Sequence, residues 1–436
     1  MDSASIDDNN RRATHHRTSI QPIWSSALRS LARLVELGEP VDSATLDALT
    51  HIKTTDSART RADIRKLLEP FVALEISVDS NRFETITQTL SPLRVAQGGW
   101  VSFLARISNP SRWTTPFTIT GGGSIISTPI ASGFVAEPYI PGKVEFSSTI
   151  RDDWWYELKI DGESALIGIE EQYFVMSFYS RDPGLRSAML TLSPPPVRTP
   201  MGQDFAKGSS WSLVQRRRVY AHSSSTAPLE VEATPSREVI FDVRDHDGRT
   251  CVASLTVKDA SGRVYPARGL RLAPDMFFHD HVYRGAGEPI RLPYGRYTLT
   301  ATRGPEYLPR RREIEISQHD DEPIIVSLER WVAPAAHGYY SGDPHLHGGG
   351  CSHYSIPTQG VTPETMIRHA RGEGLWMSNV LIWGSCYRYQ RSFFSSQAIS
   401  PPSSLEHPQH QRALGMTWSH SVTDCDHESH LSYDLE

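Results

Sequence analysis

Short stretches of alternating apolar and polar residues recur from about residue 71 onward and constrain the fold more than any other sequence feature. In one of them, Val101, Phe103, Ala105 and Ile107 alternate with more polar neighbours. A period of two is typical of a half-buried strand, because successive side chains of a strand point to opposite faces. With glycine and proline turn signals between them, these stretches predict a β-sandwich over residues 71–193.

The apolar residues before this point recur with a helical period. The first helical segment carries Trp24, Leu28, Leu31, Val35 and a terminating Gly38. Such spacing followed by glycine indicates an amphipathic helix and its end. Two shorter amphipathic segments follow, one with Ser43 in the capping position and one ended by Pro70. The sequence predicts a polar N-terminus and a small helical unit within residues 1–70.

Two further segments separate the first sandwich from the C-terminal region. Residues 194–237 are rich in Ser, Pro and Gly, and they predict a linker whose basic run lies in a solvated loop. Residues 238–331 alternate again and predict a second β-sandwich. His279 and His281 have the spacing of paired metal ligands, but without a glycine-rich exit or neighbouring ligands a surface turn is favoured.

Composition limits the classes of partner. The net charge of -6 and the pI near 6.3 favour neither nucleic acid nor a membrane surface. No basic stretch followed by an apolar core opens the chain, so we expect a cytoplasmic location, with a secreted or periplasmic one as the alternative if the true start differs. The four cysteines are scattered and none has CxxC spacing, which favours neither a disulfide framework nor a zinc knuckle.

A histidine-rich segment that begins Gly-Asp-Pro-His-Leu-His at Gly342 carries the chemistry. Residues two apart on a strand face the same way, so Asp343, His345 and His347 are expected on one face. Two imidazoles so placed reach one metal ion at about 2.0–2.1 Å. The glycines that follow let the backbone turn sharply and bring His353 back as a ligand or as the group that transfers a proton. Asp343 is predicted to orient a ligand histidine.

The specificity of this signal comes from its surroundings. An isolated His-x-His pair is weak, whereas the preceding Gly-Asp, the glycine exit and the following histidine make it moderately specific. Downstream, Thr362 is a predicted helix cap with Pro363 at the first helical position, and residues 376–383 form an apolar strand. Strand, helix and strand at this spacing predict a βαβ unit, in which ligands gather at the carboxyl ends of strands.

The C-terminal part of the chain resembles the PHP superfamily (polymerase and histidinol phosphatase-like), most closely the CehA/McbA type of metallohydrolase. The matching residues are Ser341 to His353, Gly372 to Leu375 and Trp383 to Cys386. The module before them resembles the carboxypeptidase-regulatory-like β-sandwich, on Arg271 to Asp275 and Arg303 to Tyr307.

This resemblance implies a distorted α/β barrel that holds divalent metal ions (Zn, Mn or Fe) and hydrolyses phosphoester, amide or carbamate bonds. Position by position, it implies that the metal ligands are His345, His347, His353 and Glu436. The family's second strand usually ends in an aspartate–histidine pair, where this chain has Trp383-Gly384-Ser385. Residues 342–436 amount to less than half of the roughly 250 residues of a complete α/β barrel, so we expect the barrel to be incomplete.

The sequence therefore predicts a multidomain chain with an N-terminal helical segment, two β-sandwich-like modules, and the start of an α/β domain of the PHP type over residues 332–436. Two functions stay open. One is a metal-dependent hydrolase that uses metal-activated water on an unknown substrate, with activity in the shortened chain an open question. The other is a non-catalytic carbohydrate- or protein-binding β-sandwich protein with a remnant metal site.

Overall fold

The fold is described from a computed structural model. The residues that it describes are 20–53, 57–79, 82–114, 116–121, 155–162, 165–193, 225–269, 271, 274–318, 322–347, 361–380, 399–400 and 415–418. Of the predicted features, His353, Glu436, the basic run Arg216–Arg218 and the turn after Trp383 lie outside these residues.

Three helices open the described chain: α1 (Gln21–Glu36), α2 (Ser43–Thr50) and α3 (Ser57–Leu68), the last continued by a 3-10 turn at Glu69–Phe71. The helical prediction is confirmed. Asp42, not Ser43, caps α2, because its carboxylate accepts a hydrogen bond from Thr45 N at 2.8 Å. No helix among the described residues combines the length and the apolar character needed to cross a bilayer.

Helix α1 ends as the sequence predicts, at a glycine. Gly38 has φ +85°, its N–H donates to Val35 O, and Glu39 N–H donates to Leu34 O, both at 3.0 Å. These two bonds form a Schellman motif, which needs a residue that tolerates the left-handed conformation. The motif turns the chain sharply and fixes the position of Glu39.

The first sandwich consists of two facing sheets. Its strands are β1 (Val72–Asp79), β2 (Arg82–Gln88), β3 (Leu93–Ala96), β4 (Trp100–Ser108), β5 (Thr118–Gly121), β6 (Tyr156–Ile160), β7 (Glu171–Ser180), β8 (Gly184–Ser193) and β9 (Ser225–Thr234). One sheet has the order β2-β1-β4-β7-β6 and the other β3-β9-β8-β5. Val101, Phe103, Ala105 and Ile107 enter the core between the sheets, which confirms the alternation predicted for this strand.

The helical unit covers the outer face of the first sheet. Leu104 and Val175, which point away from the sandwich core, form one buried cluster with Leu31 and Leu34 of α1 and Ile64 of α3. This sheet is therefore buried on both faces, which explains why β7 is buried along almost its whole length instead of on alternate residues.

Strand β9 corrects the linker prediction. Residues 225–233 pair antiparallel with β8, from Gly184↔Ala233 to Leu192↔Ser225, so this part of the predicted linker 194–237 belongs to the first sandwich. Leu229, Val231 and Ala233 alternate into the core. The Thr, Pro and Glu residues of the outer face make that alternation hard to recognise in the sequence.

The second sandwich follows without a break. Its strands are β10 (Ser236–Arg244), β11 (Ala253–Asp259), β12 (Val264–Tyr265), β13 (Val282–Arg284), β14 (Glu288–Pro293), β15 (Gly295–Thr302), β16 (Tyr307–Leu308), β17 (Arg310–Ile316), β18 (Ile324–Ser327) and β19 (Glu329–Arg330). The sheet β14-β10-β18 faces the sheet β12-β11-β15-β17, β13 pairs with β11, and β16 pairs with β19. Val239, Phe241 and Val243 of β10 lie in the core between the sheets.

A short α/β unit ends the described chain. It contains β20 (Gly342–Leu346), α4 (Pro363–Gly372), β21 (Met377–Val380), β22 (Ile399–Ser400) and β23 (Gly415–Trp418). The sheet has the order β20-β21-β23-β22, in which β20, β21 and β23 run parallel and β22 is antiparallel. Thr362 caps α4 and Pro363 opens it, so the predicted strand–helix–strand unit is confirmed.

A buried carboxylate connects the two sandwiches. Glu39 Oε1 accepts a hydrogen bond from Ser102 N at 2.6 Å, and Glu39 Oε2 lies 2.7 Å from Arg263 Nη2. Leu37 O also accepts a hydrogen bond from Gly269 N at 3.0 Å. Burial raises the pKa of Glu39, and the charge of Arg263 opposes that rise. The loop after α1 therefore contacts both β-modules with satisfied polar groups.

Substitution of Glu39 tests this connection. We expect Glu39→Gln to lower the free energy of unfolding by about 3 kcal/mol. This value is at the lower end of the range for a broken buried ion pair, because Arg263 keeps some contact with solvent. Glu36→Gln is the matched control: Glu36 pairs with Arg33 with 62% of its side chain exposed, so we expect less than about 0.5 kcal/mol. Denaturant titration measures both values, and equal losses for the two variants would contradict a buried connection.

Candidate functional site

The His-x-His segment lies on β20 in an irregular stretch. Gly342 pairs with Met377 and Asp343 with Ser378, but the next pair is Leu346 with Val380, so β20 has one extra residue between Asp343 and Leu346. The extra residue is a β-bulge, and Pro344 stands within it. Proline lacks the N–H that a regular ladder requires, which accounts for the interruption.

This bulge corrects the predicted alternation. Asp343 and Leu346 are three residues apart on β20 but pair with residues that are two apart on β21, so the alternation of β20 shifts by one residue between them. His347 follows Leu346 and is not brought to the face of Asp343 by strand geometry. The geometric reason for expecting Asp343, His345 and His347 on one face therefore no longer applies.

The described part of the motif is partly enclosed by the chain. Asp343 and His347 are half-buried, and His347 directly follows the carboxyl end of β20. The backbone of His345 belongs to β20, while its side chain, like His353 and Glu436, lies outside what the structure describes. The structure thus brings Asp343 and His347 into one segment but gives no side-chain geometry for the other predicted ligands.

Ser341 fixes the start of this strand. Its hydroxyl donates to Gly374 O at 3.1 Å, and its carbonyl accepts from Trp376 N at 3.0 Å and from Met377 N at 3.2 Å. Tyr340 packs edge-on against Trp376 with ring centroids 5.1 Å apart. These contacts hold β20 in register with the segment that leaves α4.

A second group of potential metal ligands lies on a turn of the second sandwich. Asp245, His246 and Asp247 have ligand atoms within 4.8 Å of one another, and they are the one such group of His, Cys, Asp and Glu among the described residues. The sequence predicts a turn here. Gly248 N donates to Asp245 O at 2.9 Å, which confirms the turn.

The bonds of Asp245 indicate a structural role. Its Oδ2 accepts from Arg303 at 2.8 Å and from Tyr307 at 3.0 Å, while its Oδ1 lies 2.9 Å from His246 Nδ1 and accepts from His246 N at 2.7 Å. Burial would raise the pKa of Asp245, but the hydrogen bonds from His246 and the charge of Arg303 lower it below 3.8. A cation at Asp245 Oδ2 would have to displace the Arg303 guanidinium that is already bound there.

Arg303 connects Asp245 to helix α4. Its Nε donates to Arg371 O at 3.0 Å. A Cβ on the adjacent Gly304, which has φ +72°, would lie 2.0 Å from Glu373 O, so only glycine permits this approach. Asp245 therefore helps to seat the end of α4 on the second sandwich.

A cluster of aromatic and titratable residues, called here the histidine junction, lies beside that contact. It consists of His279, His281, Tyr283, His369 and Glu373. The rings of His279 and His281 stack with centroids 4.5 Å apart, and the rings of Tyr283 and His369 lie 4.7 Å apart. His281 Nε2 is 3.1 Å from the Tyr283 hydroxyl, which donates to Glu373 Oε1.

The environment of the junction keeps its imidazoles neutral. Burial, together with repulsion from the neighbouring His279, lowers the pKa of His281 from 6.5 to about 4. Burial also lowers the pKa values of His279 and His369 and raises that of Tyr283. The sequence shows the His279–His281 spacing but favours an exposed turn. The contacts with α4 that bury these rings are between residues far apart in the chain.

Comparisons with known proteins assign no family. No protein-family profile and no curated protein matches the sequence. Among solved structures, PapD-like domain 7 of human CEP192 is 13% identical over 38% of this chain and 88% of its own, with a TM-score of 0.18. The Bacillus anthracis TIE protein is 8% identical over 74% of this chain and 56% of its own, with a TM-score of 0.17. Domains 5-6 of the S-layer protein SbsC are 12% identical over 56% of this chain and 97% of their own, with a TM-score of 0.18. Likenesses at this level carry no argument about this chain.

The two aspartates of the Asp245 turn give a matched test. We expect Asp245→Ala to lower the free energy of unfolding by about 3 kcal/mol, because Arg303 would stay buried without its carboxylate. Asp247→Ala, at a more exposed pair, should cost less than about 0.5 kcal/mol. Because the pKa of Asp245 is lowered, its contribution is present above pH 3.8 and is lost as the pH falls further.

Denaturant titration with and without added Ca²⁺ or Zn²⁺ measures both effects. Stabilisation of the native chain by either ion that Asp247→Ala abolishes would overturn the structural assignment.

Proposed function

We propose that this chain is a metal-dependent hydrolase that acts on a phosphoester, amide or carbamate bond through the segment Asp343–His347. The observation that carries the proposal is the place of this segment at the carboxyl end of β20, in a sheet where β20, β21 and β23 run parallel. In parallel α/β sheets, ligands bind at the carboxyl ends of the strands. Resemblance to the PHP superfamily supplies the reaction class.

The donor chemistry of the segment fits a divalent transition metal. His345 and His347 offer imidazole nitrogens, which bind divalent transition metals such as Zn²⁺, Mn²⁺ or Fe²⁺, and Asp343 would orient a ligand histidine. On the resemblance, His353 and Glu436 would complete the ligands. The ion, when bound, would lower the pKa of a water molecule and polarise the scissile bond.

The protein residues would supply position and proton transfer. The Ser341 contacts hold the start of β20 against the exit of α4, which limits the freedom of a ligand at His347. His353, where it is not itself a ligand, would carry the proton to the leaving group. The turn at Asp245 has no part in this proposal, because its buried carboxylate is bound to Arg303 and Tyr307.

A non-catalytic binding protein is the second candidate. Trp331, Tyr339 and Tyr340 are exposed by 61%, 73% and 54%, and they lie in the connection between the second sandwich and β20. Exposed aromatic residues of this kind are typical of surfaces that bind carbohydrate or protein. In this case the His-x-His segment would be the remnant of a metal site.

Metal content separates the two candidates. We expect the purified chain to hold zinc, manganese or iron in stoichiometric amount, because two imidazoles on one short segment bind these ions together. The double variant His345→Ala/His347→Ala should lose the metal and any hydrolysis of phosphoester, amide and carbamate test substrates. Elemental mass spectrometry measures the metal.

The matched control removes two histidines elsewhere. His51 and His337 are exposed in the described structure, so His51→Ala/His337→Ala should keep the metal. Absence of bound metal in the native chain at micromolar supply would rule out the hydrolase and leave the binding protein. Loss of metal in the control as well would show that the ion is not bound through His345 and His347.

A further inference from the structure

The histidine junction lies between helix α4 and the strands of the second sandwich. Its titratable groups have no part in the candidate site. His279 and His281 precede and adjoin β13, Tyr283 lies on β13, and His369 and Glu373 lie on and just after α4. In α/β units the catalytic groups gather at the carboxyl ends of the strands. The junction contacts the carboxyl end of α4, which leads into the amino end of β21. Its chemistry is therefore separate from that of His345 and His347, which lie toward the carboxyl end of β20.

The hydrogen bonds fix where protons lie in the junction. Tyr283 has one hydroxyl proton and donates it to Glu373, so His281 Nε2 must donate its own proton to the Tyr283 oxygen. His369 Nε2 is 2.9 Å from Pro274 O, which can only accept, so this nitrogen is also a donor. In both rings the nitrogen that takes up a proton on acidification is Nδ1.

A fixed positive charge is bound to the backbone of the two stacked histidines. Arg271 Nη1 donates to His279 O at 2.7 Å and to His281 O at 3.2 Å, and its Nη2 donates to Pro266 O at 2.5 Å. Burial lowers the pKa of Arg271 to about 10, so it stays charged near neutral pH. Protonation of both stacked imidazoles would then place three cations together, which like-charge repulsion opposes.

Other charged groups face the rings from the neighbouring elements. Arg268 also adds positive charge, whereas Asp280, Asp275 and Glu373 attract an imidazolium. Glu373 Oε1 lies 4.0 Å from His281 Nε2, although it is already bound by the Tyr283 hydroxyl. The acidic groups therefore raise the pKa values of these histidines, but burial and the neighbouring cations lower them by more.

We propose that the histidine junction is an acid-sensitive latch, in which protonation of the stacked pair His279–His281 weakens the packing of helix α4 on the second sandwich. The docked helix favours neutral rings, whereas the released helix exposes rings that take up protons near their ordinary pKa of 6.5. Between these two pKa values the released state binds more protons, so a falling pH favours release. Docking is complete above pH 6.5 and weakens as the pH falls toward about 4.

A nearby ion pair does not titrate in the same range. Arg368 Nη1 lies 2.5 Å from Glu288 Oε2 and links α4 to the start of β14. Burial would raise the pKa of Glu288, but the hydrogen bond from Arg368 lowers it below 4.5. If the packing of α4 on the second sandwich weakens from about pH 6 downward, the cause is therefore protonation of the imidazoles and not of the Glu288 carboxylate.

Hydrogen exchange of the full chain measures the latch locally. We expect protection of the α4 amides, corrected for the intrinsic rate, to fall about tenfold between about pH 7.5 and about pH 5, while β7 keeps its protection. A local measurement is needed because Glu39 also titrates with a raised pKa in a different contact. Unchanged α4 protection across this range would overturn the proposal.

Glutamine variants assign the effect to the stacked pair. His281→Gln keeps an Nε2 donor for Tyr283 and removes the titration. We expect His279→Gln/His281→Gln to retain protection at pH 7.5 within about twofold and to lose most of the pH dependence. His337→Gln, at an exposed histidine in the connection to β20, should behave like the native chain. A double variant with native pH dependence would overturn the proposal.

Nuclear magnetic resonance titration of the ring protons in the native chain tests the proposal without any variant. We expect His279 and His281 to titrate below 6.5, together with the loss of α4 protection. Titration of both rings at 6.5 or above would contradict the latch, even if the double variant were to lose α4 protection at neutral pH.

Discussion

Satisfied polar groups buried between modules hold this chain together, and the contact at Glu39 comes first among them. The Schellman end of α1 presents Glu39 to Ser102 of the first sandwich and to Arg263 of the second. Burial of the Glu39 carboxylate would be strongly unfavourable without these partners, so this contact depends on both modules. The second sandwich then carries α4 through Asp245 and Arg303.

The sequence predicts the elements whose apolar residues recur with a regular period or whose ends carry a cap. Helix α1, strand β4 and the β20–α4–β21 unit all have a period or a cap that the structure confirms. Strand β9 falls within the predicted linker because Thr, Pro and Glu occupy its outward positions and only every second residue is apolar. Asp42 caps α2 in place of the neighbouring Ser43, a shift of one residue that local sequence does not distinguish.

Side-chain clusters are predicted less well, since they depend on contacts between distant residues. Tyr283 and Glu373 are separated by 90 residues, and nothing in the sequence near His279 indicates that α4 packs there. The candidate metal segment shows the opposite case. Its residues are adjacent in the chain and the sequence identifies them directly, yet the bulge at Pro344 removes the regular alternation on which their predicted common face depends.

The proposed hydrolase requires a metal ion bound to the segment at the end of β20. Anomalous X-ray diffraction from crystals of the full chain, recorded at the zinc, manganese and iron absorption edges, locates a bound ion without reference to activity. The proposal predicts a peak about 2.0–2.1 Å from the ring nitrogens of both His345 and His347. A metal-free segment, or a peak at the Asp245 turn alone, would contradict it.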